Sequence, residues 1–222
     1  SSAAPLYSSA ASDVYKRQDY VRALAMTQQL YEGDHPQKAI CLGNVALTWL
    51  DLGRAIEAET LARQSMDMFR RLYEGDHSDV ANSLNTIGRT VEAQSRAVEA
   101  AGYFQESLLM YQRLFPSDNS HVAIGLSNLA NARQSCGEIA EARSLRDQAL
   151  AILRRLAPQE ASLFARTLWR SALARTLDGD LATARQELQE AVAVAEAALP
   201  PQHPAILEYR AALAKCVESS EK

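Results

Sequence analysis

The sequence is poor in aromatic residues and in cysteine. Phenylalanine, tryptophan and tyrosine make up 6% of its 222 residues, and β-branched residues are sparse. Because strands favour β-branched and aromatic side chains, this composition argues against a sheet and favours helices rich in alanine and leucine. The three cysteines, Cys41, Cys136 and Cys216, are far apart and include no C-x-x-C pair. We therefore expect free thiols in a reducing compartment, the cytoplasm.

The chain also lacks a strong net charge and a long apolar run. Its formal net charge of −4 gives no electrostatic reason to expect nucleic acid or an anionic membrane as a partner. It contains no run of about 18 apolar residues, and no charged segment followed by a short apolar one opens it. We therefore predict neither a membrane-spanning helix nor a secretory signal.

What the chain does have is an internal repeat of 42 residues. The pentapeptide Tyr-Glu-Gly-Asp-His occurs at 31–35 and again at 73–77, and further steps of 42 reach Asn119, Ala161 and His203, each just before an apolar run. The register continues without an insertion from residue 19 to residue 217. A fixed period of this length is typical of stacked supersecondary units, which offer a binding surface rather than a catalytic pocket.

Residues 1–18 do not follow this register. Residues 8–18 resemble translated sequencing-adaptor sequence, so we expect 1–18 to be a non-native or disordered N-terminal segment. A genuine N-terminal helix followed by a short insertion is the alternative. In either case we expect the natural protein to continue upstream.

The first half of each repeat has columns of apolar and small residues spaced like one face of a helix. The small residues of the last column would let a neighbouring helix approach closely. The columns are Ala39, Ala81, Ala123 and Ala165; Leu42, Leu84, Leu126 and Leu168; Val45, Ile87, Leu129 and Leu213, broken by Ser171; and Ala46, Gly88, Ala130, Ala172 and Ala214.

Glycine, alanine and proline mark the ends of two helices in each repeat. Glycine adopts positive φ without a Cβ penalty, so the first helix is predicted to end near Gly53, Ser95, Gly137 and Gly179. The second helix is predicted to open on Ala58, Ala100, Ala142 and Ala184, and the next junction to contain Gly75, Pro116, Pro158 or Pro200-Pro201. Pro36 and Pro204 suit a first helical position.

Motifs of catalysis and cofactor binding are missing. The sequence holds no Walker-type glycine loop and no G-x-G-x-x-G, H-E-x-x-H or G-x-S-x-G pattern. The four histidines, His35, His77, His121 and His203, are spaced about one per repeat, too far apart to share one tetrahedral metal. We expect them to cap helices, and we expect a chain without enzymatic activity, metal or cofactor.

This pattern resembles the tetratricopeptide repeat, in the 42-residue form familiar from kinesin light chains. The small-residue column, the turn glycines and the alanines of the second helix carry the resemblance over about residues 19–217. It implies an all-α fold, a right-handed superhelical solenoid of helix-turn-helix repeats. Within an array at 19–222 we expect a half repeat at 19–34, full repeats at 35–76, 77–118, 119–160 and 161–202, and a capping helix at 203–218.

In tetratricopeptide arrays the first helices line the concave surface, so their polar residues on that side are candidate ligand contacts. Asparagine amides can pair with the backbone of an extended peptide, and arginine favours carboxylates. We therefore predict a scaffold that binds a peptide or partner domain in this groove, with a preference for acidic residues or a free C-terminus. The alternative is that these side chains only solubilise the first helices, and Glu92 on the same face weakens the positive charge. The candidates are Asn44, Asn82, Asn85, Arg89, Asn128, Asn131, Arg166 and Arg170.

Two further hypotheses remain open. Bacterial serine/threonine protein kinases often carry similar arrays after the kinase domain, so the chain is alternatively a sensor or scaffold fragment of a larger bacterial signalling protein. Separately, Leu24, Leu30 and Tyr31 of the half repeat lack a covering partner in the sequence. This suggests a homo-oligomer formed through the N-terminal end.

Overall fold

The computed structural model describes residues 22–23, 25–27 and 29–220 of the chain. The expectation for residues 1–18 and the side chain of Leu24 lie outside this part. Between residues 36 and 220, which are all described, eight helices follow one another and no strand occurs. They are α1 (Pro36–Asp51), α2 (Ala55–Leu72), α3 (Ser78–Glu92), α4 (Ala97–Leu114), α5 (Ser120–Ser135), α6 (Ile139–Leu177), α7 (Leu181–Ala198) and α8 (Pro204–Ser220).

The chain divides into two compact units, Ser1–Leu114 and Phe115–Lys222. In the first unit α1 packs against α2, α2 against α3, and α3 against α4. In the second unit α5 packs against α6, α6 against α7, and α7 against α8. Within each unit, consecutive helices thus pack on one another, as expected for stacked helix pairs, and the all-α fold class is confirmed.

The predicted columns form the cores of both units. All members of the alanine and leucine columns are buried. Ser171 is also buried, as Val45, Ile87 and Leu129 are at the equivalent positions of the other repeats. In the second unit Phe164, Leu168 and Ala123 share one core with Ile206 of α8. Leu213 is half-buried and Ala214 is exposed on α8, which is the last helix that the structure describes.

The turn residues predicted from the sequence end the first helices. Gly53, Ser95, Gly137 and Gly179 all have positive φ, at 76°, 61°, 82° and 80°. Only glycine reaches this conformation without a steric penalty from Cβ, so Ser95 is held there at a cost.

Three of the four histidines cap a helix, as predicted. The Nδ1 atoms of His35, His77 and His203 accept hydrogen bonds from the backbone N–H two residues ahead, at 3.1 to 3.2 Å. The prediction is wrong for His121, which lies inside α5. There Asn119 is the cap, and its Oδ1 accepts from the His121 N–H at 2.8 Å.

The second helices begin three residues before the predicted alanines, at Ala55, Ala97, Ile139 and Leu181. The predicted alanines are completely buried in the fourth position of each helix. Their small size therefore marks close packing on the preceding helix, not the helix start. The first turns of α2 and α4 could not be located from buried apolar residues, because their second residues, Ile56 and Val98, are 70% and 80% exposed.

The predicted junction at Pro158 is present as a kink and not as a turn, since the helical segment α6 runs from Ile139 to Leu177. Only Glu160 leaves the helical conformation, with φ −115° and ψ 29°. The other junctions contain Gly33 or Gly75 at positive φ, or Pro116 followed by serine. At 157–161 no glycine is present, and a proline suits the first turn of a new helix. The second helix of one repeat therefore continues into the first helix of the next with a kink.

Candidate peptide-binding faces of the first helices

In the first unit the candidate residues of α3 form one polar stripe. Asn82, Asn85 and Arg89 are spaced by three and four residues, so they lie along one side of the helix. Asn82 is exposed, and the other two are half-buried. Asn44 lies on α1, which also contacts α3 in this unit, and is half-buried. We call these four residues the first-unit face.

The amide of Asn82 is oriented by a buried tyrosine. The Tyr111 hydroxyl of α4 donates to Asn82 Oδ1 at 2.5 Å. Burial raises the pKa of Tyr111, so its hydroxyl stays a donor at neutral pH. With its oxygen taken, Asn82 presents the NH₂ group for a carbonyl ligand. Arg89 makes no salt bridge with the residues that the structure describes, so its guanidinium can take a carboxylate.

In the second unit the candidate residues lie on α5 and on the second half of α6. Asn128 and Asn131 are half-buried on α5. Arg166 and Arg170 are exposed on α6, one helical turn apart. Burial raises the pKa of the nearby Tyr209 hydroxyl, while the positive charges of Arg166 and Arg170 oppose this rise. Both guanidinium groups therefore lie close enough to Tyr209 for their charges to lower the pKa of its hydroxyl.

Two leucines that the sequence analysis does not predict as contacts lie on the same side of α6 as these arginines. Leu173 is 39% exposed and Leu177 is 84% exposed. The spacing of Arg166, Arg170, Leu173 and Leu177 by four, three and four residues places them on one side of α6. We call them the arginine–leucine stripe. The periodicity of the sequence contains this signal, but exposed leucines are individually common and only the structure shows that these are uncovered.

An aromatic contact between α6 and α8 holds the helix segment that carries the stripe. The Trp169 ring stacks on the Tyr209 ring of α8 with a centroid distance of 5.5 Å. Tyr209 is 4% exposed and belongs to the core of the second unit. Because Trp169 lies between Arg166 and Arg170 in sequence, this contact fixes the helix segment that carries both arginines.

Charged clusters also join the second helix of one repeat to the turn between the two helices of the next repeat. In the first unit the Glu59 carboxylate accepts hydrogen bonds from Arg63, Gln94 and Arg96 at 2.6 to 2.8 Å. Two repeats later these four positions hold Arg143, Asp147, Asp178 and Asp180. There Arg143 donates to Asp178 at 3.3 Å. The three positions that are charged in both units are thus reversed in sign, and neutral Gln94 is replaced by Asp178.

The second cluster includes charges that are almost entirely buried. Arg175 donates to Glu187 at 2.8 Å and also pairs with Asp147 and Asp180. Burial raises the pKa of Glu187 and lowers the pKa of Arg146, whose side chain donates to Gln134. Such pairs hold the repeats in register, because removing one partner leaves a buried charge.

Among residues 22–23, 25–27 and 29–220, no three His, Cys, Asp or Glu side chains come together as a metal site would require. No helix in this part of the chain is long and apolar enough to cross a membrane.

Family comparisons recognise the repeats. Two family models, both described as tetratricopeptide repeat, match the sequence at residues 44–113 and at residues 122–160 and 167–205. Together they cover about two thirds of the chain. No curated protein matches the sequence.

Solved structures share the fold at low sequence identity. A Podosopora anserina protein with nearly identical TPR-like repeats of the kinesin light chain kind is 21% identical, with a TM-score of 0.71 over 85% of this chain and 90% of that one. BtubC (BKLC) from P. vanneervenii is 15% identical, with a TM-score of 0.78 over 94% and 84%. A Rap protein complexed with Competence and Sporulation Factor is 15% identical, with a TM-score of 0.72 over 93% and 60%.

Proposed function

The chain belongs to the tetratricopeptide repeat family of protein-interaction scaffolds, and we propose that it binds an extended, acidic peptide segment on the polar faces of its first helices. The observation that carries this proposal is the pair of exposed guanidinium groups, Arg166 and Arg170, one helical turn apart on α6. Each of two such groups can bind a carboxylate by donating two parallel N–H···O bonds to it.

The asparagines supply contacts that do not depend on the ligand's sequence. An asparagine amide offers two donors and an acceptor, which match the carbonyl and N–H groups of an extended backbone. Asn82 supports this role, because the Tyr111 hydroxyl occupies its oxygen and orients its NH₂ group. On the first-unit face Arg89 adds a positive charge without a salt-bridge partner among the described residues.

The leucines of the arginine–leucine stripe add an apolar contact beside the charged one. Leu177, at 84% exposure, is the most exposed of the large apolar side chains that the structure describes. Burying such a side chain stabilises a complex by about 1.5 kcal/mol or more. An extended ligand with an apolar residue a few positions from its carboxylates would contact both the arginines and the leucines of the stripe.

A structural neighbour is consistent with a binding role for this fold. The Rap protein described above was crystallised in complex with Competence and Sporulation Factor. Because its sequence identity to this chain is 15%, it supports the architecture and not the identity of the ligand. The partner of this chain is therefore proposed by its chemistry alone.

A peptide array of acidic and neutral sequences tests the proposal, with selected peptides then titrated in solution. We expect R166A/R170A to weaken binding about tenfold or more, since a hydrogen bond to a charged group contributes about 1.5–3 kcal/mol. R185A is the matched control, because Arg185 is an exposed arginine on the second helix α7. Binding should also weaken as salt concentration rises.

The outcome also separates the two units. If R89A weakens binding and R166A/R170A does not, the ligand lies on the first-unit face. Equal losses in R185A and R166A/R170A would overturn the proposal, because binding would then follow net charge and not the face. Selection of neutral peptides alone would contradict the acidic preference.

The two other hypotheses stay predictions. The relatives described above include no protein kinase, and an upstream sequence containing kinase motifs would be needed to support that origin. At the N-terminal end Leu30 is 69% exposed and the Tyr31 ring stacks on His35 at 3.5 Å. Molecular mass measured over a range of concentrations tests self-association there.

A further inference from the structure

Three repeats contain the same ion pair between the connector that precedes them and the end of their second helix. Arg71 donates two hydrogen bonds to Asp34, at 2.6 and 3.0 Å. Arg113 donates two to Asp76, at 2.6 and 2.8 Å. The Arg155 guanidinium pairs with Asp118 in the same two-bond manner. In each pair the arginine lowers the pKa of the aspartate.

A leucine follows each of these arginines. Leu72, Leu114 and Leu156 are half-buried at the ends of the second helices. The arginine of each pair therefore binds the connector through its charge, and the leucine lies next to it at the end of the same helix. The same arginine–leucine pair thus occurs at this position in three repeats.

The fourth repeat has a carboxylate at the connector position but lacks the arginine and the leucine at the end of its second helix. One period after Asp118 the sequence has Glu160, and one period after Arg155 and Leu156 it has Ala197 and Ala198. Both alanines are exposed. A cleft of about 360 Å³ opens here, lined by residues 159–163 and by Ala198.

Glu160 is the titratable side chain of this cleft. It is half-buried and lies at the kink of α6, where the backbone leaves helical geometry. No salt bridge joins it to any residue that the structure describes. Its carboxylate thus has the charge of the three connector aspartates without an internal guanidinium.

We propose that this cleft binds an arginine side chain of a partner protein, followed in the partner by an apolar residue such as leucine. The guanidinium pairs with Glu160, and the apolar side chain covers Ala198. Arginine is favoured over lysine because its planar fork donates two parallel bonds to one carboxylate. The three filled repeats show the chemistry that this position accepts.

The proposal goes beyond the acidic-peptide function and uses none of its residues. Glu160 and Ala198 belong to neither the first-unit face nor the arginine–leucine stripe. The two proposals also ask for ligands of opposite charge, so each can fail without the other.

A peptide taken from the chain itself provides the probe. Residues 151–156, Ala-Ile-Leu-Arg-Arg-Leu, contain an arginine–leucine pair. In NMR titrations of the full chain, we expect the capped peptide to shift the backbone amides of residues 159–163 and of Ala198. A control peptide with alanine in place of the second arginine should bind about two- to fivefold more weakly, the loss expected for one solvent-exposed ion pair.

Two variants complete the test. A197R/A198L restores the side chains of the other repeats, so it should fill the cleft and abolish these shifts. A182R adds an arginine at an exposed position of the same helix and should leave them unchanged. E160Q should reduce the affinity for the arginine peptide to that of its alanine control. Equal binding of both peptides, shifts located elsewhere, or unchanged binding in A197R/A198L would overturn the proposal.

Discussion

The ring of Phe104 packs directly on the backbone of Gly88. A Cβ atom at residue 88 would lie 2.6 Å from Phe104 Cε1 and 2.8 Å from Cδ1. Phe104 is completely buried, so its ring can shift only against the side chains packed around it. The small residue in this column is therefore a steric requirement of the contact between α3 and α4.

We expect Gly88→Ala to lower the free energy of unfolding by about 1–3 kcal/mol, the usual cost of overpacking a core. Gly102→Ala is the matched control, because it lies in α4 with no atom within 4 Å of the added Cβ. It should raise stability by about 0.5–1 kcal/mol, since alanine loses less conformational entropy than glycine in a helix. Urea unfolding followed by circular dichroism measures both. Similar effects of the two substitutions would contradict the contact with Phe104.

Ser95 occupies a turn position where the other repeats have glycine. Its φ of 61° is left-handed, which costs an L-residue about 1–2 kcal/mol. We expect Ser95→Gly to stabilise the chain by up to about 1 kcal/mol, because the added flexibility of the unfolded chain offsets part of the gain. The converse change Gly53→Ser should destabilise it. Thermal unfolding of both variants checks the sign, and stabilisation by Gly53→Ser would refute this explanation.

The reversed charge clusters predict a rescue experiment. Glu59→Arg should lower the free energy of unfolding by about 1–3 kcal/mol, because its hydrogen-bond partners Arg63 and Arg96 are then left facing a like charge. Adding R63D, Q94D and R96D places carboxylates around the new arginine, as Asp178 lies beside Arg143, and should recover part of the loss. Recovery should be incomplete, because Arg175, which pairs with Asp147 and Asp180, has Val91 as its equivalent in the first unit. Chemical denaturation of the single and fourfold variants measures this. Absence of recovery would mean that the surrounding backbone, and not the charge pattern, fixes this interface.

The connector ion pairs predict a loss of stability in acid. Arginine lowers the folded-state pKa of Asp34, Asp76 and Asp118 below the unfolded value of about 3.9. A depressed acid pKa adds stability above the unfolded pKa, and this contribution disappears as pH falls through the folded pKa. Denaturation at a series of pH values should therefore show a decline below about pH 4. In D34N/D76N/D118N this decline should be shallower, and the variant should match the wild type in stability at the acidic end.

The sequence predicts those features that the 42-residue period repeats faithfully. Ala39, Leu42 and their equivalents are buried because a helix-pair stack needs the same small and apolar side chains in every unit. The histidine caps and turn glycines are similarly local, so residue type alone indicates them. The sequence predicts the start of each second helix three residues too late, because Ala58 and its equivalents mark a helix–helix contact and not the first residue of a helix.

The remaining features depend on which element lies beside which. The kink at Glu160 reflects the absence of glycine from a junction whose proline alone suggested a break. The reversed charges of Glu59 and Arg143 gain meaning only when their partners are known. In the candidate site, the period indicated Arg166 and Arg170, but the exposure of Leu173 and Leu177 required the packed structure.

The kink that joins two repeats within α6 has a consequence for folding. Elsewhere a turn separates one repeat from the next, so a repeat can unravel from its neighbour at that turn. Across residues 139–177 the second helix of one repeat meets the first helix of the next at the kink of Glu160 without an intervening turn, so fraying of either half removes support from the other. These two repeats should therefore open as one cooperative unit, with amide protons on both sides of Glu160 exchanging at a common rate.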